Sequence, residues 1–140
     1  MFDLDPRLRH DTIILGSFPL SLLLLMNDST YPWLILVPQR PAICEIFELA
    51  ADDQQQLLCE SSHLAETLAT LFQPDKLNIA ALGNIVPQLH LHHVVRYRND
   101  PAWPAPVWGK TPAIPYAPDQ VATFRSRLLP HLKQFTTAPR

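Results

Sequence analysis

The residues best placed to perform chemistry are three polar side chains at alternate positions, Gln88, His90 and His92, with a leucine between each pair. Side chains on a β-strand point alternately to its two faces, so this spacing puts the polar groups on one face and both leucines on the other. The leucines identify the face that meets the core. Segment 86–97 is therefore predicted to be a strand whose opposite face is solvated and carries reactive groups.

Such a strand face allows three interpretations. It can be an ordinary half-exposed strand with its polar residues outward. It can hold a metal ion, because two imidazoles at His-x-His spacing can bind one ion, although a third ligand is needed and His93 is predicted to point away. It can also carry a nucleophile, because an unprotonated imidazole nitrogen attacks phosphorus and forms a covalent intermediate, which divides one difficult displacement into two easier ones.

A nucleophilic histidine has further requirements that neighbouring residues can meet. An acceptor must hold the proton on the other ring nitrogen, and a donor must stabilise the charge on the phosphate. His92, two residues beyond His90, is predicted to supply that donor. Gly83 permits close approach of the backbone to a phosphate, and the side chain of Asn84 can donate a further hydrogen bond.

The run GNIVPQLHLHHV, which begins at Gly83, resembles the signature of the histidine triad (HIT) family. That signature is His-φ-His-φ-His-φ-φ, where φ is apolar, preceded by Gly-Gln-x-Val. His90 and His92 match its middle and last histidines. Gln88 replaces the first histidine, and Asn84 replaces the glutamine of Gly-Gln.

The resemblance extends over most of the chain, from residue 8 to about residue 109. The matching features outside the signature are an Asn-Asp turn at Asn27, a Leu-Val-Pro strand end at Pro38, the basic Arg40, Asn78 ahead of the signature, and a Trp-Pro tail at 103–109.

The resemblance implies a nucleotide phosphate hydrolase or nucleotidyl transferase that acts on a dinucleoside polyphosphate or a nucleoside phosphoramidate. His90 is then expected to attack the α-phosphate and form a nucleotidyl-histidine, while His92 steadies the phosphate oxygens and Gln88 takes the first position of the catalytic set. Asn27 is expected to hold the ribose. The remaining nucleotide-binding positions implied are Asn78, Gly83, Asn84 and Val86.

The resemblance also implies a homodimer and neither a cofactor nor a metal ion. A competing interpretation is a non-catalytic nucleotide-binding module of the same fold. Gln88 in place of the first histidine favours that module. The pair His90 and His92 favours the enzyme, because binding alone needs no nucleophile.

Composition limits the other possibilities. The chain has 140 residues, of which 47% are hydrophobic, enough for one domain (1–140) with a sizeable core. Its formal net charge of −2 argues against binding to long nucleic acids. The most apolar run, 20–26, is far shorter than the roughly 20 residues of a membrane span, and the acidic N-terminus is unlike a secretory signal. We therefore expect a cytoplasmic protein without a membrane partner.

The elements that position the site follow from hydrophobic periodicity and from proline and glycine punctuation. They predict an α+β, HIT-like fold: an antiparallel sheet of about five strands, a long central helix and a C-terminal helix. The predicted strands are 12–15, 20–26, 32–38, 77–82 and 86–97. The predicted helices are a short turn at 6–10, a long helix at 52–72, and a C-terminal helix at 119–136 that Pro130 interrupts, after a proline-rich loop at 101–118.

Overall fold

The computed structural model describes residues 1–139. The helices are α1 (Pro6–Asp11), α2 (Ala51–Phe72) and α3 (Pro118–Leu128), with 3-10 turns at Ile46–Glu48 and Leu129–His131. The strands are β1 (Thr12–Ser17), β2 (Ser21–Met26), β3 (Trp33–Pro38), β4 (Lys76–Ala80), β5 (Leu91–Arg96) and β6 (Thr136–Thr137). None of the helices within residues 1–139 is both long and apolar enough to span a membrane.

The strands form one antiparallel sheet in the order β4-β5-β3-β2-β1-β6. The predicted α+β fold is confirmed, although the sheet has six strands rather than five. β2 and β3 pair as a hairpin across the short link that follows Met26. All six residues of β3 are buried, because this strand lies in the middle of the sheet and both of its faces are covered.

The two faces of the sheet are covered by different parts of the chain. On one face α2 packs its apolar stripe, with Leu57, Leu64 and Leu68 almost fully buried. On the other face the N-terminal segment and part of the proline-rich loop form a second apolar cluster. β5 therefore presents His93 to α2 and His92 to the opposite cluster.

Three predicted boundaries are wrong. The strand predicted at 86–97 begins only at Leu91, because the backbone before it bonds elsewhere: the amide of Leu89 donates to the carbonyl of Ile43. The fourth strand covers 76–80 rather than 77–82. The C-terminal helix ends at Leu128, just before Pro130. Proline has no amide hydrogen to donate to the hydrogen-bond series of a helix.

The last part of that predicted helix is a strand. Thr136 pairs with Ser17 and Thr137 with Gly16, which makes β6 the outermost strand beside β1. The preference of these threonines for a strand is realised only because β1 offers an unpaired edge. That edge is distant in sequence, so local periodicity did not reveal it.

The proline-rich loop at 101–118 is irregular, as predicted, up to Pro118, which begins α3. Its start is fixed by Arg96, which is only 1% exposed. The guanidinium donates to both carboxylate oxygens of Asp100 at 2.8 and 3.1 Å and to the carbonyl of Ala105 at 2.8 Å. These bonds hold the loop against the sheet and so help to place Trp108 beside β5.

Candidate functional site

His90 and His92 lie side by side on one side of the sheet, with ring centroids 4.8 Å apart. His90 immediately precedes β5 and His92 is its second residue. The prediction that this face is solvated is wrong, since the two histidines are 7% and 4% exposed. Loop and N-terminal residues cover them and leave only a cleft.

The protonation of His90 is fixed by a backbone carbonyl. Its Nδ1 lies 2.7 Å from the carbonyl oxygen of Gln88. Because a carbonyl only accepts hydrogen bonds, Nδ1 must carry the proton, and Nε2 of the neutral ring then keeps its lone pair. This is the acceptor that a nucleophilic imidazole requires.

The protonation of His92 is fixed in the opposite sense. The indole Nε1 of Trp33 donates to Nδ1 of His92 over 2.9 Å, so the neutral ring carries its proton on Nε2. Burial lowers the pKa of His92 to about 3, and the neighbouring His90 and His93 act in the same direction. The ring is therefore a neutral hydrogen-bond donor at physiological pH.

Trp33 and Trp108 complete an aromatic cluster around His92. The ring of Trp108 makes edge contacts with His92 at 5.2 Å and with Trp33 at 5.8 Å between centroids. Sequence reasoning missed both tryptophans as site residues. A usable signal would have been the pairing of β3 with β5, since Trp33 lies opposite Val94 and so shares the face of His92.

The side chain of Gln88 is not among those that line the cleft beside the two histidines. Its Nε2 donates to the carbonyl of Asp3 at 2.8 Å, and its Oε1 accepts from the amide of Asp5 at 2.9 Å. Gln88 thus contacts His90 through its backbone and the N-terminal segment through its side chain. The prediction that all three side chains share one strand face is wrong, since only His92 lies in β5 and both Gln88 and His90 precede it. His90 and His92 nevertheless lie on the same side of the sheet.

The cleft at the two histidines has a volume of about 290 Å³. It brings together five of the eight residues predicted for the site: Gly83, Asn84, Val86, His90 and His92. Gly83 adopts a left-handed backbone with φ of +73°, which favours glycine and turns the loop towards β5. The apolar part of the lining includes Leu8, Met26, Ile85 and Trp108.

Asn27 and Asn78, predicted to bind nucleotide, are not among the residues that line the cleft. The side-chain oxygen of Asn27 accepts from the amide of Tyr116 at 2.9 Å. That of Asn78 accepts from Arg96 at 2.7 Å. In the structure both asparagines thus anchor the segments that surround the site.

His93 lies on the face of α2, as its position in the strand predicted. Its Nε2 is 2.7 Å from the hydroxyl of Ser61, and its Nδ1 is 3.1 Å from the carbonyl of Leu91. Burial lowers its pKa to about 4, against the raising effect of backbone hydrogen bonds. Within residues 1–139 no group of three or more His, Cys, Asp or Glu side chains is arranged to hold a metal ion.

The chain is similar to one protein family and to several solved structures. The model of the HIT domain family matches residues 7–99. A histidine triad protein from Marinobacter aquaeolei VT8 is 56% identical, with a TM-score of 0.94 over 97% of this chain and 99% of that chain. No curated protein matches significantly.

Two further solved structures are similar over nearly the same length. The histidine triad protein blr8122 from Bradyrhizobium japonicum is 45% identical, with a TM-score of 0.91 over 93% of this chain and 97% of that chain. A histidine triad protein from Sinorhizobium meliloti 1021 is 46% identical, with a TM-score of 0.92 over 94% and 98%.

Proposed function

Because the chain belongs to the HIT domain family, we propose that it is a nucleotide hydrolase or nucleotidyl transferase in which Nε2 of His90 attacks the α-phosphate of a small nucleotide. The observation that carries this proposal is the bond from Nδ1 of His90 to the carbonyl of Gln88. It leaves Nε2 as a lone-pair donor without any separate base. A pure binding module has no need of that arrangement.

In the first step the lone pair of Nε2 forms an N–P bond, and the bond from phosphorus to the leaving group breaks with its electron pair. An amine leaving group takes up a proton from solvent as this bond breaks, and it therefore departs neutral. Positive charge develops on the imidazole, and the hydrogen bond from Nδ1 to the Gln88 carbonyl stabilises it. The Nε2–H of His92 donates to a phosphate oxygen, where a preorganised donor is worth roughly 3–4 kcal/mol in the transition state.

In the second step water or another acceptor attacks phosphorus and loses its proton to solvent. The N–P bond breaks, and its electron pair returns to Nε2 of His90. A nucleoside monophosphate or its ester is released, and the imidazole returns to the tautomer that the Gln88 carbonyl selects. His92 can donate in both steps, because the bond from the Trp33 indole to Nδ1 holds its proton on Nε2.

The charge of the cleft favours a nucleoside phosphoramidate over a dinucleoside polyphosphate. Among the cleft-lining residues in the described part of the chain, Arg7 is the single Lys or Arg. It lies 3.6 Å from the carboxylate of Asp11, another lining residue. A polyphosphate leaving group carries several negative charges that this pair does not balance, whereas an amine leaving group carries none.

The decisive experiment is single-turnover reaction with adenosine phosphoramidate and a dinucleoside polyphosphate, followed by acid quench and mass spectrometry. We expect adenylate on His90. We also expect His90→Ala to lose turnover by several powers of ten while still binding AMP, because no other group can form the intermediate. The matched control is His131→Ala, an exposed histidine in the 3-10 turn after α3.

Two results would contradict the proposal. A label on any residue other than His90 would disprove this mechanism. AMP binding without turnover of either substrate would instead establish the non-catalytic binding module.

We further propose that the protein forms a homodimer through α2 and β4. β4 is an edge strand of the sheet. Beside it, a groove of about 610 Å³ is lined by apolar residues that include Ile46, Leu58 and Ile79, whose exposed fractions are 41%, 67% and 46%. Apolar residues this exposed beside an unpaired strand edge are typical of an interface.

A further inference from the structure

The N-terminal segment, residues 3–11, forms one wall of the cleft. Arg7, Leu8 and Asp11 line the cleft directly. Leu4 and Leu8 are 2% and 4% exposed and belong to the apolar cluster that covers the His92 side of the sheet. The wall is therefore a short segment whose docking depends on a few contacts.

Gln88 supplies two of those contacts, one on each side of the buried Leu4. Its amide nitrogen donates to the Asp3 carbonyl, and its amide oxygen accepts from the Asp5 amide. A primary amide carries a donor and an acceptor on the same edge, and so can bond both the carbonyl of Asp3 and the amide of Asp5 on an extended backbone. The nitrogens of an imidazole diverge, so a histidine at this position could not make both bonds together.

We propose that Gln88 is a positioning residue that clamps residues 3–11 against the cleft and thereby sets the affinity for the nucleoside end of the substrate. This inference rests on the proposed function, since it assigns the apolar wall at Leu8 to the base. Because the carbonyl of the same residue bonds to His90, one residue joins the nucleoside wall to the nucleophile.

The expected effect follows from the fraction of molecules in which the wall is docked. A ligand that needs the docked segment binds more weakly in proportion to the undocked population, so a segment docked one-tenth of the time weakens binding about tenfold. A ligand that contacts only the phosphate end is unaffected.

The test compares Gln88→Met with wild type. Methionine keeps the side-chain length and the backbone carbonyl but neither donates nor accepts the two bonds. The matched control is Gln39→Met, because Gln39 also donates to a backbone carbonyl, that of Leu20 at 3.3 Å, and does not line the cleft. Dissociation constants are measured for AMP and for ribose 5-phosphate, which lacks the base.

We expect AMP to bind about tenfold more weakly to Gln88→Met and ribose 5-phosphate to change less than about twofold. Trypsin should cleave faster after Arg7 and Arg9, which are exposed on the segment, and AMP should protect these bonds in wild type. The control should match wild type in every measurement. Leu4→Ala, which loosens the segment without touching Gln88, should reproduce the selective loss of AMP affinity if Gln88→Met folds poorly.

Unchanged AMP affinity and unchanged trypsin cleavage in Gln88→Met would overturn the inference. Equal weakening of AMP and ribose 5-phosphate would also overturn it, since Gln88 would then act on the phosphate end. A wild-type protein that neither binds AMP nor labels His90 would overturn the proposed function. Wild-type labelling without a Gln88 effect on AMP affinity would overturn the inference alone.

Discussion

The two histidines of the cleft have partners that can bond in only one way. A carbonyl accepts and an indole N–H donates, so the bonds from Gln88 and Trp33 fix opposite tautomers on rings 4.8 Å apart. One ring offers a lone pair and the other offers a proton. Two identical side chains thus acquire different chemistry from their surroundings alone.

Trp33→Phe tests whether the indole sets the tautomer of His92. Phenylalanine preserves the aromatic packing but removes the indole N–H that donates to Nδ1, so the proton of His92 can move away from Nε2. A hydrogen bond of this kind contributes about 1 kcal/mol, and we expect the single-turnover rate of adenylate transfer to fall about fivefold. Trp103→Phe is the matched control, because it makes the same substitution at a tryptophan whose ring contacts Arg96. Wild-type rates in both variants would contradict the assignment.

The free energy of unfolding should fall as the solution is acidified below about pH 6.5. Folding lowers the pKa of His92 from 6.5 to about 3 and that of His93 to about 4. Between these values and 6.5 the unfolded chain binds more protons than the folded chain, so stability rises with pH. The contribution is complete above about pH 7, and a loss on the order of 3 kcal/mol from each histidine is expected by pH 4.

Urea denaturation followed by circular dichroism at pH 4 to 8 measures this dependence. His93→Asn should flatten part of the slope between pH 4 and pH 6.5, even if its absolute stability is lower. Equal slopes in wild type and His93→Asn would show that His93 does not contribute to the acid loss.

Sequence reasoning identified His90 and His92 because strand alternation is a local property. It assigned Gln88 to the site but did not predict that its side chain holds the N-terminal segment. The backbone partners of that side chain are 83 and 85 residues away. Trp33 lies 59 residues from His92 and was missed for the same reason. Local periodicity cannot reveal a contact that only the assembled sheet creates.

At the scale of elements, β1 and β6 approach each other unusually closely at Gly16. A Cβ atom added there would lie 2.2 Å from the carbonyl oxygen of Thr136 and 2.5 Å from the ring of Phe135. Backbone cannot move aside as a flexible side chain can. Gly16 therefore permits the pairing that holds the C-terminal strand.

Gly16→Ala should destabilise the protein by about 2–3 kcal/mol, because the added methyl group overpacks the strand contact. The matched control is Gly109→Ala: Gly109 also has a positive φ, of +72°, but an added Cβ meets nothing within 4 Å. The control should lose only about 1 kcal/mol, the cost of left-handed backbone. Urea midpoints measure both, and equal losses would show that strain rather than the β6 contact limits residue 16.

The elements that periodicity predicted well are those whose pattern is complete within the segment. α2 and the β2–β3 hairpin have this property, and their observed bounds are within a residue or two of those expected. β5 and β6 do not, because the start of β5 depends on the bond from Leu89 to Ile43 and β6 depends on Gly16. These boundaries are tertiary rather than local.

At the scale of the whole molecule, the groove beside β4 predicts the assembly state. Leu58→Glu places a charge where a second copy would pack, so we expect sedimentation velocity to change from dimer to monomer at micromolar concentration. Ile114→Glu is the matched control, because Ile114 is similarly exposed, at 59%, and lies outside the groove. A monomeric wild type, or dissociation by both substitutions alike, would contradict the proposed interface.

The aromatic cluster also gives the protein an optical property. Of its three tryptophans, Trp33 and Trp108 contact His92, and Trp108 also lines the cleft. Any molecule that enters the cleft changes the polarity around an indole, so intrinsic emission becomes a label-free reporter of occupancy. Ligand titrations can then be read from the wavelength of emission, with no dye attached to the protein.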